Sequence, residues 1–360
     1  MMPPRAMQSN YMHWAKFKPS ARFALTGSEV PHVHMETLGI SSADLELDGE
    51  SHPRYGPLRE RISARYGVAV EQVVAADGTS MANFLAMATL ISPGDEVLIE
   101  FPTYEPLLGA ASFLGANIER FERKASDAFR LDPAAVEAML TPKTRLVVLT
   151  NLHNPSGNLA NETDLATIGE LAARAGIHIL IDEVYLDSAV PSGRSAIHLG
   201  PQFIGTNSLT KVYGLSGLRC GWILAEPQLA ERMWRLNDLF GVNRAHQAER
   251  LGCIAFDRLD EVIGDIPTML QRNRGLFNAF IQRRDDLECP PAKHGITAFP
   301  QWTGGDTQRL DDLLRAKYDA AVVPGCWFEM PDHFRVGFGL PTSEFEEALG
   351  RLGGALDDLK

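Results

Sequence analysis

Short apolar runs alternate with amphipathic stretches through the middle of the chain, and the hydrophobic period changes at each switch. Ser92-Pro93-Gly94-Asp95 is a turn signal, followed by the run Val97-Leu98-Ile99. Asp132-Pro133 reads as an N-cap with proline at the first helical position, opening a helix through Leu140. Leu146-Val147-Val148-Leu149 reads as a buried strand. From Asp164 to Ala175, apolar residues recur at helical spacing through Leu165, Ile168 and Leu171. The pattern stops at Gly176, and Ile177 to Ile181 is apolar again. Strand, helix, strand in this order predicts an α/β fold: a mostly parallel sheet sandwiched by helices, with its ligand crevice beyond the carboxyl ends of the strands.

From about Pro227 the pattern turns mainly helical, with a candidate helix from Pro267 to Arg284. Short strands follow around Ile296 to Trp302, Ala320 to Val323 and Phe334 to Phe338, and Ser343 is placed to cap a last helix through Leu359. This predicts a second, smaller α+β unit.

Composition narrows what such a fold can serve. A chain of 360 residues can bury a large core, and 45% hydrophobic with 22% charged residues excludes disorder and collagen-like repeats. Lys and Arg number 34 against 46 Asp and Glu, a formal charge of -12, which repels phosphate backbones; no nucleic-acid partner is expected. The longest apolar-leaning stretch, from Leu146, is broken by Asn151, His153, Asn154, Pro155 and Gly157, short of the about 20 apolar residues a bilayer span needs. No membrane partner is expected either. The first residues lack the apolar segment of a secretory signal, and Cys220, Cys253, Cys289 and Cys326 stand singly without C-x-x-C spacing, so a cytoplasmic location is expected. His32 and His34 would share one face of an extended strand, but no further ligand stands at a metal spacing, and no metal is expected.

The candidate chemistry sits where apolar runs end. Asp182 directly follows Ile177 to Ile181, which puts its carboxylate at the crevice, and Tyr185 lies three residues on. Asn154 sits in the polar turn Asn151 to Gly157 after the previous strand. Phe203 to Asn207 leads into Ser208, Thr210 and Lys211, with Gly214, Gly217, Arg219 and Gly221 close behind. Hydroxyls, a guanidinium and glycine backbone are what a dianionic phosphate needs. Asp77-Gly78-Thr79-Ser80 precedes the apolar helical run Met81 to Ile91, whose N-terminal amides offer a second group of phosphate donors. Arg335 interrupts an otherwise apolar strand, an unusual place for a charged side chain.

The order of Tyr55-Gly56, Gly78-Thr79-Ser80, Pro102-Thr103-Tyr104, Asn154-Pro155-Ser156-Gly157, Asp182-Glu183-Val184-Tyr185, Ser208-Leu209-Thr210-Lys211, Gly217-Leu218-Arg219-Cys220-Gly221 and Arg335-Val336-Gly337-Phe338 resembles the fold-type I pyridoxal 5'-phosphate (PLP) enzymes. More narrowly it resembles the class I/II aminotransferases, from about Tyr55 to Gly339. The resemblance implies a large cofactor-binding domain, 36–265, and a small domain built from 1–35 and 266–360. It implies that Lys211 holds PLP as a Schiff base and shuttles the proton, that Asp182 pairs with the pyridine nitrogen, and that Tyr185 and Asn154 donate to the ring 3'-oxygen. Thr79, Ser80, Ser208 and Arg219 would hold the phosphate, Gly78 and Thr210 would belong to the same cofactor site, and Tyr104 would stack on the ring. Arg335 would grip the substrate α-carboxylate, with Asn154 and Gly27 beside it. Tyr55 would reach the phosphate of a neighbouring subunit, which implies a homodimer with shared sites.

The sequence also departs from the family pattern. Thr210 replaces the commoner Ser, Leu152 and His153 precede Asn154, and Gly295 to Trp302 and Leu25-Thr26-Gly27 match poorly. The function expected is transfer of an amino group from an L-amino acid to a 2-oxo acid. A C–S lyase, a decarboxylase or a cyclising synthase could use the same residues, because the cofactor withdraws electrons whichever bond at Cα breaks. A catalytically silent PLP-binding protein is the remaining alternative; a PLP-sensing regulator would carry an added DNA-binding domain.

Overall fold

A computed structural model of the chain describes residues 5–46, 49–191 and 193–360. Seven strands form the central sheet: β1 (Val73–Asp77), β2 (Glu96–Phe101), β3 (Asn117–Glu122), β4 (Thr144–Thr150), β5 (His178–Asp182), β6 (Phe203–Ser208) and β7 (Cys220–Leu224). They lie in the order β1-β7-β6-β5-β4-β2-β3. The sheet is parallel except for β7, which runs antiparallel to both of its neighbours.

Each central run is apolar throughout because its two faces meet different helices. Leu146, Val148, Leu180 and Ile204 pack with Ala82, Leu85, Ala86 and Met87 of one helix, Gly78–Leu90, called α2 below. Val147, Leu149, Ile179 and Ile181 face the other way, onto Leu165, Ile168 and Ala172 of α3 (Glu162–Ala175). Asn161 caps α3 by accepting from the Thr163 amide, and Gly176 ends it at φ +66°. The sandwich expected from the sequence is therefore present, with α3 starting two residues earlier than its apolar spacing indicates.

The C-terminal part packs α4 (Ile266–Gln282) and α5 (Thr342–Asp358) around Phe334, Val336 and Phe338. Strand β8 (Phe334–Gly337) lies between Thr297–Ala298 and Val323–Pro324, antiparallel to both. Phe23–Ala24, from the N-terminal segment, pairs in parallel with Ala320–Ala321.

Several local expectations are corrected. Ile296 to Trp302 is not one strand: it divides into Thr297–Ala298 and Gln301–Trp302, with Pro300, which has no amide hydrogen, between them. Ala320 to Val323 divides similarly into Ala320–Ala321 and Val323–Pro324. Ser343 does not cap α5, because the helix opens at Thr342 behind Pro341 and so takes Ser343 into its first turn. His32 and His34 are exposed in irregular chain rather than on a strand, and no group of three His, Cys, Asp or Glu able to hold a metal forms among the described residues. A helix the sequence reading did not anticipate, α1 (Asn10–Phe17), is capped by Ser9. Its Tyr11 and Trp14 pack with Phe299, Trp327 and Phe328. Among the described residues no helix is long and apolar enough to cross a membrane.

Candidate active site

The carboxyl ends of β4, β5 and β6 open onto a cleft of about 600 Å3. Its other walls are α1, the segment Thr26 to Glu29, the first turn of α2 and Arg335 on β8. One end is a cup of hydroxyls. Thr79 Oγ1 donates to Ser208 Oγ at 2.8 Å, and Ser80, Thr210 and Arg219 line the same end. Gly78, Thr79 and Ser80 are the first turn of α2 rather than residues ahead of it, so their backbone amides are among those a helix leaves free. Gly78 adopts φ +78°, which favours glycine, and a Cβ there would displace the Arg219 guanidinium.

The middle of the cleft holds Asp182 and Lys211. Asp182 is the last residue of β5, and Asn83 Nδ2 donates to its Oδ2 at 2.8 Å while the Val184 amide donates to its Oδ1 at 3.0 Å. Burial pushes its carboxyl up to about 6, against the pull of those hydrogen bonds and of Lys211. Thr206 Oγ1 donates to Asn83 Oδ1 at 2.5 Å, so β6 fixes the amide that fixes the carboxylate. Lys211 Nζ lies 3.5 Å from Glu29 Oε2, both side chains about one-third exposed. Tyr185 is buried, which pushes its hydroxyl up to about 12. Tyr104 is likewise raised by burial; its hydroxyl meets Met12 Sδ at 3.2 Å and its ring stands edge-on to Tyr11.

The far end is built around Arg335, 1% exposed. Its Nη1 donates to Asn154 Oδ1 at 3.0 Å and its Nη2 to the Tyr11 hydroxyl at 3.0 Å. Asn154 is itself fixed through a buried relay. Arg123 pairs with Glu100 at 2.9 Å, Glu100 Oε1 accepts from the Thr150 amide and hydroxyl, and Thr150 Oγ1 accepts from the Asn154 amide. His153, held neutral by burial, bridges Pro102 O and Ser156 Oγ and closes the turn. The motif glycine after Arg335 has a steric cause: a Cβ on Gly337 would run into the Gly27 carbonyl oxygen.

The sequence model of the family "Aminotransferase class I and II" matches residues 49–352. The chain belongs to this family. Capreomycidine synthase of Streptomyces vinaceus is 30% identical to it over 301 residues, 82% of this chain and 77% of that protein. Histidinol-phosphate aminotransferase 2 of Carboxydothermus hydrogenoformans is 32% identical over 294 residues, 79% and 77% of the two chains. In fold, the chain matches a PLP-dependent aminotransferase from Streptococcus suis with a TM-score of 0.89 at 23% identity, covering 100% of this chain and 99% of that one.

The cofactor of this aminotransferase family is PLP, and the cleft has groups that fit it. Thr210 Oγ1 is buried with no hydrogen-bond partner, and the Asp182 carboxylate is enclosed with no ion pair among the described residues. Both suit a ligand carrying a phosphate at one end and a ring nitrogen at the other.

Of the residues singled out in the sequence, Gly27, Thr79, Ser80, Tyr104, Asn154, Asp182, Tyr185, Ser208, Thr210, Lys211, Arg219 and Arg335 line this one cleft. Gly78 lies beneath Arg219. Tyr55 does not reach the cleft of its own chain; it precedes the helix Gly56–Tyr66 and meets the rings of His52 and His246. Sequence reasoning missed Tyr11, Asn83 and Glu29. Asn83 carried a signal, a lone amide in the apolar run after Ser80, whereas Tyr11 and Glu29 carried none.

Proposed function

We propose that this chain is a PLP-dependent aminotransferase that moves an amino group from an L-amino acid to a 2-oxo acid. The observation that carries the reading is the convergence, in one cleft, of a lysine, an enclosed aspartate, a hydroxyl-rich cup and a buried arginine with a free face. When bound, PLP supplies an electron sink for the bond broken at the substrate Cα.

In this reading Lys211 Nζ would hold the cofactor covalently and, once free, would carry the proton to and from the substrate Cα. Asp182, ionised once a cation faces it, keeps the pyridine nitrogen protonated. Tyr185 and Asn154 would donate to the ring oxygen, and Tyr104 would stack on the ring. Gly78, Thr79, Ser80, Ser208, Thr210 and Arg219 hold the phosphate. Arg335 orients the α-carboxylate through its fork, with Gly27 alongside. The substrate side chain would meet Lys16, Lys18 and Glu29, which line the same cleft.

The domain division, 36–265 against 1–35 with 266–360, a homodimer and a cytoplasmic location belong to the same reading. Exposed Leu239, Phe240 and Val242 support a second copy as partner, as does Tyr55 lying outside its own cleft. A cyclising synthase is the second reading, supported by the 30% identity to capreomycidine synthase.

The test is a panel of cationic, anionic and aromatic L-amino acids added to the PLP-loaded protein without any oxo acid. An aminotransferase converts the cofactor to its amine form and releases one 2-oxo acid per site. Release of a cyclised product or of ammonia with the cofactor spectrum restored would replace this reading with the synthase or the lyase, and no response to any donor would leave a silent binder.

A further inference from the structure

Arg244 stands in the turn between the helices Pro227–Asn237 and His246–Asp257 and does not line the cleft. Its side chain is only 6% exposed. Nε donates to Asp77 Oδ1 at 2.8 Å, and Nη2 donates to the Arg219 carbonyl oxygen at 2.7 Å. These two acceptors are neighbours in the sheet: Arg219 directly precedes β7, whose Cys220 is the register partner of Asp77. Asp77 ends β1 and occupies the N-cap position of α2, directly before Gly78, Thr79 and Ser80. Its carboxylate does not cap the helix and is turned to Arg244 instead.

Arg219 adopts φ +49°, a conformation that non-glycine residues hold only when their surroundings impose it. Its own Nη2 returns a hydrogen bond to the Asp77 carbonyl oxygen at 3.1 Å. The two strand ends, already neighbours in the sheet, are therefore fixed further by two guanidinium groups, that of Arg219 and that of Arg244. A guanidinium is planar with donors in a fixed fork, so one such side chain sets both the spacing and the orientation of two acceptors.

We infer that Arg244 is a positioning residue for the phosphate cup: bracing Asp77 and the Arg219 backbone from outside the cleft, it sets the affinity for the cofactor's phosphate. This rests on the PLP reading and adds to it a residue that touches neither cofactor nor substrate.

The test titrates the cofactor-free protein with PLP and, separately, with pyridoxal, which has the aldehyde and ring but no phosphate. Arg244→Ala is expected to weaken PLP binding about tenfold or more while pyridoxal affinity stays within about twofold. Asp77→Ala added to it should cost much less than it does alone, since the two residues act through one contact. Equal weakening of both ligands, or a lower melting temperature with the PLP-to-pyridoxal ratio unchanged, would assign Arg244 to general stability and overturn the inference. Unchanged PLP affinity would overturn it as well. A wild-type protein that binds no PLP would sink the cofactor reading itself, which separates that failure from this one.

Discussion

Asp182 ends β5 with its carboxylate enclosed, and burial pushes it up to about 6 from 3.8. Folded protein without cofactor then keeps this proton up to about pH 6, whereas the unfolded chain loses it near 3.8. Stability must fall as pH rises through that window, by up to about 3 kcal/mol, and level off above it. Asp182→Asn removes the term: its cofactor-free form should gain on the parent in urea unfolding between about pH 4 and 6, while turnover drops by orders of magnitude. A stability difference that does not change with pH would contradict the assignment. At the other end of the cleft, Arg335→Lys loses the fork, and kcat/KM for amino acids should fall about 10- to 100-fold, about 1.5–3 kcal/mol, with PLP affinity little changed. Equal losses in both would show that Arg335 serves the fold rather than the substrate. Lys211, Asp182, Asn154 and Arg335 could be singled out because each stands in a motif of the family order, with Asp182 ending and Arg335 interrupting an apolar run. Their partners were not: Asn83 lies 99 residues from Asp182, Glu29 182 from Lys211 and Tyr11 324 from Arg335, and no local pattern records such pairings.

At the scale of elements, α1 and the first turn of α2 make opposite ends of the cleft, and each can be perturbed alone. Tyr11 brings α1 onto Arg335 through its hydroxyl. Tyr11→Phe should raise the amino-acid KM about 10- to 100-fold, the worth of one hydrogen bond to a charged group at about 1.5–3 kcal/mol, and leave PLP binding unaffected. A change in PLP affinity with KM constant would place α1 elsewhere in the mechanism. Gly78→Ala acts at the cup, where a Cβ displaces Arg219 at a positive φ; PLP should bind about 5- to 150-fold more weakly, from strain of about 1–3 kcal/mol. Wild-type affinity in a folded variant would mean that the cup tolerates displacement of Arg219. The central strands and α3 were readable because period and capping residues agree there. The sequence reading missed α1 because its docking depends on aromatic residues from Phe299 to Phe328, far along the chain, and it misread 296–302 because Pro300 interrupts an apolar stretch that looks continuous.

At the scale of the whole molecule, the cleft draws on residues from Tyr11 to Arg335, so the sheet and the C-terminal part must both be folded for it to exist. If a second copy completes it through Tyr55, mixing Lys211→Ala with a Tyr55→Phe protein of weakened PLP binding should create heterodimers with one native site, and activity should rise as subunits exchange. Exchange without any rise would confine Tyr55 to a structural role in its own chain. The central claim is that this cleft holds PLP on Lys211. Borohydride reduction of the PLP-loaded protein followed by peptide mass mapping tests it most directly. One adduct per chain is expected, on the peptide that contains Lys211; an adduct on Lys16 or Lys18, which line the same cleft, or no adduct at all, would show that Lys211 does not hold PLP.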